Sequence, residues 1–124
     1  METRFLVGSA VSGGSLRELL ESAAKACGAG RIVFGVESVA MDFPLPCPSG
    51  VGVRLAPSEL EALRRQCGAP VYFSEALCAK YFTCRRNGRA HFILFDDEET
   101  LRCKQELARS LGIREILRLY PGML

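Results

Sequence analysis

The segment YFTCRRNGRAHFILFDDEET, residues 81–100, contains the clearest local signals in this chain of 124 residues. Its central Asn87-Gly88 pair favours the tight turn of a β-hairpin, and apolar runs flank it on both sides. We therefore predict two antiparallel strands, KYFTC (80–84) and RAHFILF (89–95). Four consecutive acids follow the second strand and precede an apolar stretch with helical spacing. Acids in that position are typical of the first turn of a helix.

Three helices are predicted from one pair of signals. Each begins at a side chain that can accept hydrogen bonds from free backbone N–H groups, with an acid three positions later. Each ends before a glycine suited to a left-handed conformation. The predicted starts are Ser15, Ser58 and Asp96, and the glycines are Gly28, Gly68 and Gly112. Asp96 is thus interpreted as a helix cap, because carboxylates used as acid and base would face each other across a cleft.

Apolar runs between the helices predict an α/β fold. RFLVG (4–8) and RIVFGV (31–36) flank the first helix, and their near-continuous apolar character is typical of buried parallel strands. Two further strands are predicted after the second and third helices, PVYF (70–73) and REILRLY (114–120). The whole chain, residues 1–124, is interpreted as a single domain.

Residues 41–57 form the longest stretch without a regular pattern, because prolines and glycines interrupt it. We predict a loop there. Long loops after parallel strands often carry function, so residues 37–57 are the natural candidate for a binding site. The acids of this segment are Glu37 and Asp42, and an acid in such a loop is more often a turn or salt-bridge residue.

Composition is that of an ordinary globular domain, with 48% hydrophobic residues, 24% charged residues and a net charge of +2. That charge gives no strong case for a nucleic-acid partner or for an anionic membrane. No apolar run reaches the length of a bilayer span, and the first residues lack a convincing signal peptide. We therefore expect a cytoplasmic location.

The chain contains six cysteines and one histidine, His91. Cys78, Cys84 and Cys103 could in principle join His91 in a zinc site, but no two of these residues have the usual ligand spacing. Because cysteine packs well as a small hydrophobe, we expect reduced thiols and neither a metal nor another cofactor. His91 has no acid or serine partner by spacing and is interpreted as a polar residue of the hairpin.

Three segments, in order, resemble family 18 glycoside hydrolases, particularly the spore-cortex and chitinase-like bacterial members. RIVFGVESVAMDFPLPCPSG (31–50) is similar to their strand and loop KIxLGIPxYGYDWxLPxxxG. The segments 55–84 and 87–122 are similar to the regions that follow. The resemblance implies the last portion of an eight-stranded (β/α) barrel, that is, a partial barrel-like sheet of parallel strands. It also implies a small α+β insertion at about 55–95 that contains the β-hairpin.

The resemblance also implies that catalytic residues are absent. The family carries DxxDxDxE, whose last acid protonates the glycosidic oxygen, and none of the three aspartates here belongs to such a motif. The family's sugar-binding YGYDW reads VAMDF (39–43), the chain has no tryptophan, and Leu119 replaces that of the last strand. The weak substrate-binding candidates that the resemblance implies are Glu37, Met41, Asp42 and Phe43.

Three functional hypotheses follow. The first is a catalytically inactive half-barrel that serves as an assembly module or binds N-acetylglucosamine-containing glycans weakly. The alternative is part of a glycoside hydrolase acting on chitin or peptidoglycan when another chain completes it. The third is a protein-interaction module with an aromatic surface, although its aromatics are more typical of a core: Tyr72, Phe73, Tyr81 and Phe82.

A partial barrel leaves two sheet edges unpaired and its inner face without an opposite wall. We expect that inner face to include Ile32, Phe34, Leu117 and Leu119. Covering it requires a partner, either a second copy of the chain or a complementary barrel half. Two-fold pairing reuses the existing face and needs no new sequence, so a homodimer is favoured.

Overall fold

A computed structural model describes residues 4–9, 15–47 and 52–119. These residues form three α-helices, one short 3-10 turn and eight strands in two sheets. The helices are α1 Leu16–Cys27, α2 Pro57–Cys67 and α3 Glu98–Ser110. The strands are β1 Phe5–Gly8, β2 Ile32–Glu37, β3 Ala40–Pro44, β4 Val53–Arg54, β5 Tyr72–Ser74, β6 Ala79–Arg86, β7 Arg89–Phe95 and β8 Glu115–Leu119. Tyr120, the last residue of the predicted final strand, lies outside the described residues.

The first sheet is parallel and has the strand order β1-β2-β8. The unit β1-α1-β2 confirms the βαβ arrangement predicted from the apolar runs. One face of this sheet packs against α1 and α3, where Ile32 and Phe34 are at most 1% exposed. The prediction that these two side chains line an open inner face is therefore wrong. Side chains alternate between the faces of a strand, and Ile32 and Phe34 lie on the helix side.

No element among the described residues covers the other face of the parallel sheet. Leu6 and Leu117 lie on it and are 54% and 53% exposed, whereas Leu119 is 9% exposed. The Leu119 side chain covers Gly35, since a Cβ added at Gly35 would lie 2.7 Å from Leu119 Cδ1. We call this the leucine face, and Leu117 lies on it as expected. The described residues form no closed barrel.

The second sheet is antiparallel, with the strand order β4-β3-β7-β6-β5. The predicted hairpin is confirmed as β6 and β7, with Asn87 and Gly88 at φ values of 53° and 74°. Strands β3 and β4 fall in the segment that was predicted as a loop, so that prediction is wrong for Ala40–Pro44 and Val53–Arg54. Long-range pairing with β7 overrides the irregular local pattern. The second sheet thus begins at Ala40. The expected insertion at about 55–95 stays a prediction.

Two of the three helices begin at residues other than the predicted ones. Helix α1 begins as predicted, because Ser15 Oγ accepts a hydrogen bond of 3.1 Å from the Glu18 N–H. At α2, the Glu59 carboxylate accepts a hydrogen bond of 3.0 Å from the Ala56 N–H, so the predicted cap at Ser58 is wrong. Pro57 suits the first helical position, because its missing N–H has no partner to lose there.

Helix α3 is capped by Asp97, one residue after the predicted Asp96. The Asp97 carboxylate accepts a hydrogen bond of 3.0 Å from the Thr100 N–H, and Thr100 Oγ1 accepts one of 3.0 Å from the Asp97 N–H. This reciprocal arrangement is a capping box. The prediction that Asp96 caps the helix is therefore wrong.

The Asp96 carboxylate is instead buried. It lies 2.6 Å from Lys104 Nζ, and the two side chains are 2% and 4% exposed. It also accepts hydrogen bonds from the Val39 N–H at 3.1 Å and from Thr100 Oγ1 at 2.7 Å. The Asp96 N–H in turn donates to the Val39 carbonyl at 2.8 Å. We call this cluster the Asp96 junction, because it joins the segment after β2 to the segment after β7.

A disulfide joins Cys67, the last residue of α2, to Cys84 of β6. The prediction that all cysteines are reduced is therefore wrong. The bridge sits at the core between α2 and the antiparallel sheet, which contains Leu63, Phe82 and Ile93. The separation of 17 residues between the two cysteines does not predict a disulfide, because the pairing depends on how α2 packs across β6.

Within the described part of the chain, no helix is both long and apolar enough to cross a membrane. The same residues contain no group of three or more His, Cys, Asp or Glu side chains that could hold a metal ion. The expected lack of a metal stays a prediction.

The Asp96 junction predicts unequal roles for two lysines. Lys104→Met leaves the Asp96 carboxylate buried without its charge partner, which costs about 3–5 kcal/mol of unfolding free energy. Lys80→Met is the matched control, because Lys80 pairs with the more exposed carboxylates of Asp97 and Glu99. Its loss should be below about 1 kcal/mol. Urea denaturation at pH 7 measures both variants, and equal losses would contradict the assignment.

Candidate functional site

The carboxyl ends of the three parallel strands meet at one edge of the first sheet. (β/α) barrels place their sites at this edge. Ser9, just after β1, is buried, and its Oγ accepts a hydrogen bond of 3.0 Å from the Glu37 N–H at the end of β2. The Glu37 carboxylate is 14% exposed and lies 2.9 Å from Arg54 Nη1. Glu37 is therefore held in place by both its backbone and its charge.

An aromatic surface adjoins this edge. Alternating side chains of β3, β7, β6 and β5 place four rings on the side of the antiparallel sheet opposite α2. Neighbouring ring centroids are 6.2 Å apart for Phe43 and Phe92, 5.1 Å for Phe92 and Tyr81, and 5.6 Å for Tyr81 and Tyr72. Three rings are half-buried and Tyr72 is 53% exposed. We call these four residues the aromatic face.

Strand β4 connects the aromatic face to the edge of the parallel sheet. Arg54 is the register partner of Met41, and its guanidinium pairs with Glu37. Met41 and Phe43 lie two residues apart on β3 and so share one side of the strand. The structure thus brings three of the four candidate substrate-binding residues, Glu37, Met41 and Phe43, to one continuous surface.

Asp42, the fourth candidate, lies on the opposite side of β3 and is 7% exposed. Its Oδ1 is 2.8 Å from His91 Nδ1, and its Oδ2 is 3.7 Å from Arg86 Nη1. The interpretation that His91 lacks an acid partner is therefore wrong. The two residues are 49 positions apart, and only the pairing of β3 with β7 brings them together.

The aromatics named for a possible interaction surface divide between the two sides of the sheet. Phe82 is 1% exposed and belongs to the core beneath α2, whereas Tyr72 and Tyr81 belong to the aromatic face. Phe73 is 43% exposed and lines a separate cleft of about 500 Å³ with Arg17 and Cys103. Period-two alternation in β6 is the sequence signal that separates Tyr81 from Phe82.

A second cleft, of about 650 Å³, lies just after the end of β2. Val39, Ala40, Leu55, Pro57 and Leu60 give it apolar walls, and Arg54, Glu59 and Asp96 add polar groups. The Asp96 carboxylate is already saturated by Lys104, Val39 and Thr100. This cleft therefore has few groups left to bind a polar ligand specifically.

Three groups in the described ranges have shifted pKa values. Burial, followed by the neighbouring Cys103 thiol, raises the pKa of Cys78 to about 12. Hydrogen bonds to Asp97 and Glu99 raise the pKa of Lys80. Burial opposes ionisation of Asp97, but hydrogen bonds from Lys80 and the Thr100 N–H outweigh it and lower the pKa. Each shift keeps the group in its usual ionisation state at neutral pH, so none of the three is tuned for acid–base catalysis.

Solved structures that are similar to this chain include spore cortex-lytic enzymes and a chitinase. The spore cortex-lytic enzyme SleL from Bacillus cereus superposes with a TM-score of 0.67 at 23% identity, covering 87% of this chain and 26% of that one. SleL from Bacillus megaterium gives 0.69 at 21% identity, with 86% and 25% covered. A chitinase from Chromobacterium violaceum gives 0.74 at 18% identity, with 97% and 41% covered.

These structures are family 18 glycoside hydrolase-like, so the predicted resemblance is confirmed. At these sequence identities, the similarity to the solved structures establishes the fold. The chain spans about a quarter to two fifths of the length of these three enzymes. No protein-family model matches the chain, and neither does any curated protein sequence.

Proposed function

We propose that this chain is a noncatalytic portion of a (β/α) barrel that binds N-acetylglucosamine-containing glycans weakly through its aromatic face. The observation that carries this proposal is the row of four rings. Its first ring, Phe43, shares a side of β3 with Met41, whose register partner Arg54 pairs with Glu37. The C–H groups of a pyranose face pack well against flat aromatic rings. Binding is weak because the rings come from phenylalanine and tyrosine, with no tryptophan in the chain.

Lack of hydrolysis follows from the positions of the two acids near this surface. Glu37 is engaged by Arg54, whereas Asp42 is engaged by His91 and Arg86 on the other side of β3. Glycoside hydrolysis needs an acid placed to protonate the leaving oxygen, and the chain has no DxxDxDxE motif to supply one. We therefore assign neither carboxylate a catalytic role.

The second candidate is a part of an active hydrolase that another chain completes. It is favoured by the open parallel sheet and by the fraction of the similar enzymes that this chain spans. In that case the catalytic acid comes from the complementary barrel portion. This chain then contributes the late strands and the aromatic face.

Both candidates require a partner for the leucine face. Leu6 and Leu117 are each more than half exposed, and β1 and β8 are edge strands of their sheet. Burying such a side chain stabilises by about 1.5–3 kcal/mol. We favour a homodimer over a complementary half, because a two-fold axis covers two equivalent faces with one surface. Neither a nucleic acid nor a membrane is proposed as a partner.

The disulfide bears on the cellular location of the protein. The cytoplasmic location expected from the sequence stays a prediction. The Cys67–Cys84 bridge weighs against it, because disulfides persist mainly in oxidising compartments.

Glycan binding should produce chemical-shift changes when the protein is titrated with an N-acetylglucosamine hexamer. We expect a dissociation constant in the millimolar range, roughly −4 kcal/mol of binding free energy. Tyr81→Ala should weaken binding about fivefold, the loss of about 1 kcal/mol from one stacked ring. Phe73→Ala is the matched control, since Phe73 is exposed but lies outside the aromatic face.

The same mixture, incubated for hours, should contain no shorter oligomers. Glycan binding that Tyr81→Ala leaves unchanged would contradict the aromatic face as the site. Hydrolysis that disappears in Asp42→Asn would overturn the noncatalytic assignment.

Pairing through the leucine face predicts a dimer of two 13.6 kDa chains by light scattering at micromolar concentration. Leu117→Asp should shift the protein to monomer, because a charge on the covered face costs far more than one in water. Val53→Asp is the control, since Val53 is 61% exposed on β4 of the other sheet. A single 13.6 kDa species for the unmodified chain would exclude the homodimer.

A further inference from the structure

The side of the antiparallel sheet beneath α2 brings together a disulfide, a histidine and a carboxylate. Cys84 of β6 and His91 of β7 are register partners, so their side chains project from the same side of the sheet as direct neighbours. Such pairs have Cβ atoms about 4.5–5.5 Å apart. Cys84 is bonded to Cys67 of α2, and His91 is bonded to Asp42 of β3.

His91 therefore contacts the Asp42 carboxylate of β3 on one flank and has Cys84 of β6 as its register partner on the other. An ionised carboxylate only accepts hydrogen bonds, so His91 Nδ1–H donates to Asp42. This tautomer leaves Nε2 with a lone pair that can take a proton. The same order of groups, thiol, imidazole and carboxyl or amide, activates sulfur in cysteine enzymes.

When Cys84 is a thiolate, the side chains around it offset its negative charge. Arg86 lies two residues after Cys84 on the same side of β6, and its guanidinium is 3.7 Å from Asp42. A Cys84 thiolate and Asp42 carry two negative charges, which a His91 imidazolium and Arg86 offset. Two more arginines face this side but are engaged elsewhere: Arg89 donates to the Leu45 and Pro46 carbonyls, and Arg64 of α2 stacks on Phe95.

We propose that the Cys67–Cys84 disulfide, His91 and Asp42 form a thiol–disulfide exchange site whose co-substrate is a low-molecular-weight thiol such as glutathione. This site is separate from the aromatic face and does not depend on glycan binding. Cys67 is the sulfur attacked, because it is partly exposed at the end of α2, whereas Cys84 is 8% exposed.

The exchange proceeds in two balanced steps. The thiolate of the small thiol forms a bond to Cys67 Sγ, the Cys67–Cys84 bond breaks, and the electron pair leaves on Cys84 as a thiolate. The proton lost by the small thiol is taken up by His91 Nε2. A second molecule of the thiol then attacks the mixed disulfide, releasing Cys67 as a thiol and a small-molecule disulfide. The two thiols supply the two electrons that reduce the protein.

His91 accelerates the first step by stabilising the leaving thiolate. Burial alone raises the pKa of a thiol and makes it a poor leaving group. A neighbouring imidazolium opposes that effect, and a leaving thiol of lower pKa departs faster. Asp42 holds the imidazole in the required tautomer and orientation.

The test uses the full oxidised chain and reduced glutathione at pH 7, with alkylation at timed intervals and peptide mass spectrometry. We expect glutathione on Cys67 and the alkylating group on Cys84. Release of the Cys84 thiolate should be roughly tenfold slower in His91→Gln. Arg89→Gln is the matched control, because it removes a polar side chain of β7 that contacts only backbone carbonyls. Glutathione found on Cys84, or equal rates in the wild type and His91→Gln, would overturn the proposal.

A second measurement needs no variant. In the fully reduced wild-type chain, the pH dependence of alkylation gives an apparent pKa for each cysteine separately. The Cys84 midpoint should lie below the ordinary value of about 8.5, with the Cys27 thiol as an internal reference. A Cys84 midpoint at or above that of Cys27 would overturn the role of His91.

Discussion

The position of the antiparallel sheet relative to the parallel sheet depends on the buried Asp96 junction. The chain leaves the parallel sheet after β2 and returns to it through α3, and the junction binds these two crossings to each other. Lys104 and Thr100 of α3 complete the environment of the carboxylate. A buried charge is tolerated only when its partners are all in place, so this junction favours one arrangement of the two sheets. In that arrangement, Arg54 connects β3, which carries the first ring of the aromatic face, to Glu37 at the end of β2.

Local signals predicted the elements that depend on local physics. Asn87-Gly88 gave the hairpin, Ser15 gave the start of α1, and continuous apolar runs gave the parallel strands. The wrong predictions have two causes. The starts of α2 and α3 shift because neighbouring side chains compete for the cap, whereas the other errors depend on contacts between distant parts of the chain. Strand β3 exists because β7 pairs with it, and the Asp96 carboxylate accepts a hydrogen bond from the Val39 N–H, 57 positions earlier in the chain. The Cys67–Cys84 bridge likewise requires α2 to cross β6.

The candidate site was accessible to sequence reasoning only in part. The resemblance pointed to Glu37, Met41 and Phe43, and the structure places all three along one surface. It also pointed to Asp42, but a strand turns adjacent residues to opposite sides, so Asp42 faces His91 instead. The row of rings spans four strands, of which β5, β6 and β7 are consecutive and β3 lies far from them in sequence. No single strand shows such a row, and it becomes visible only once the sheet order is known.

Native-state hydrogen exchange tests the coupling of the two sheets most directly, by comparing the wild type with Asp96→Asn. We predict that in the wild type the Val39 amide and the central strands β2 and β7 open together, with the free energy of global unfolding. In Asp96→Asn, the Val39 amide and β7 should open at a lower free energy than β2. Equal opening free energies for β2 and β7 in the variant would show that the sheets are coupled without the junction and would contradict the account.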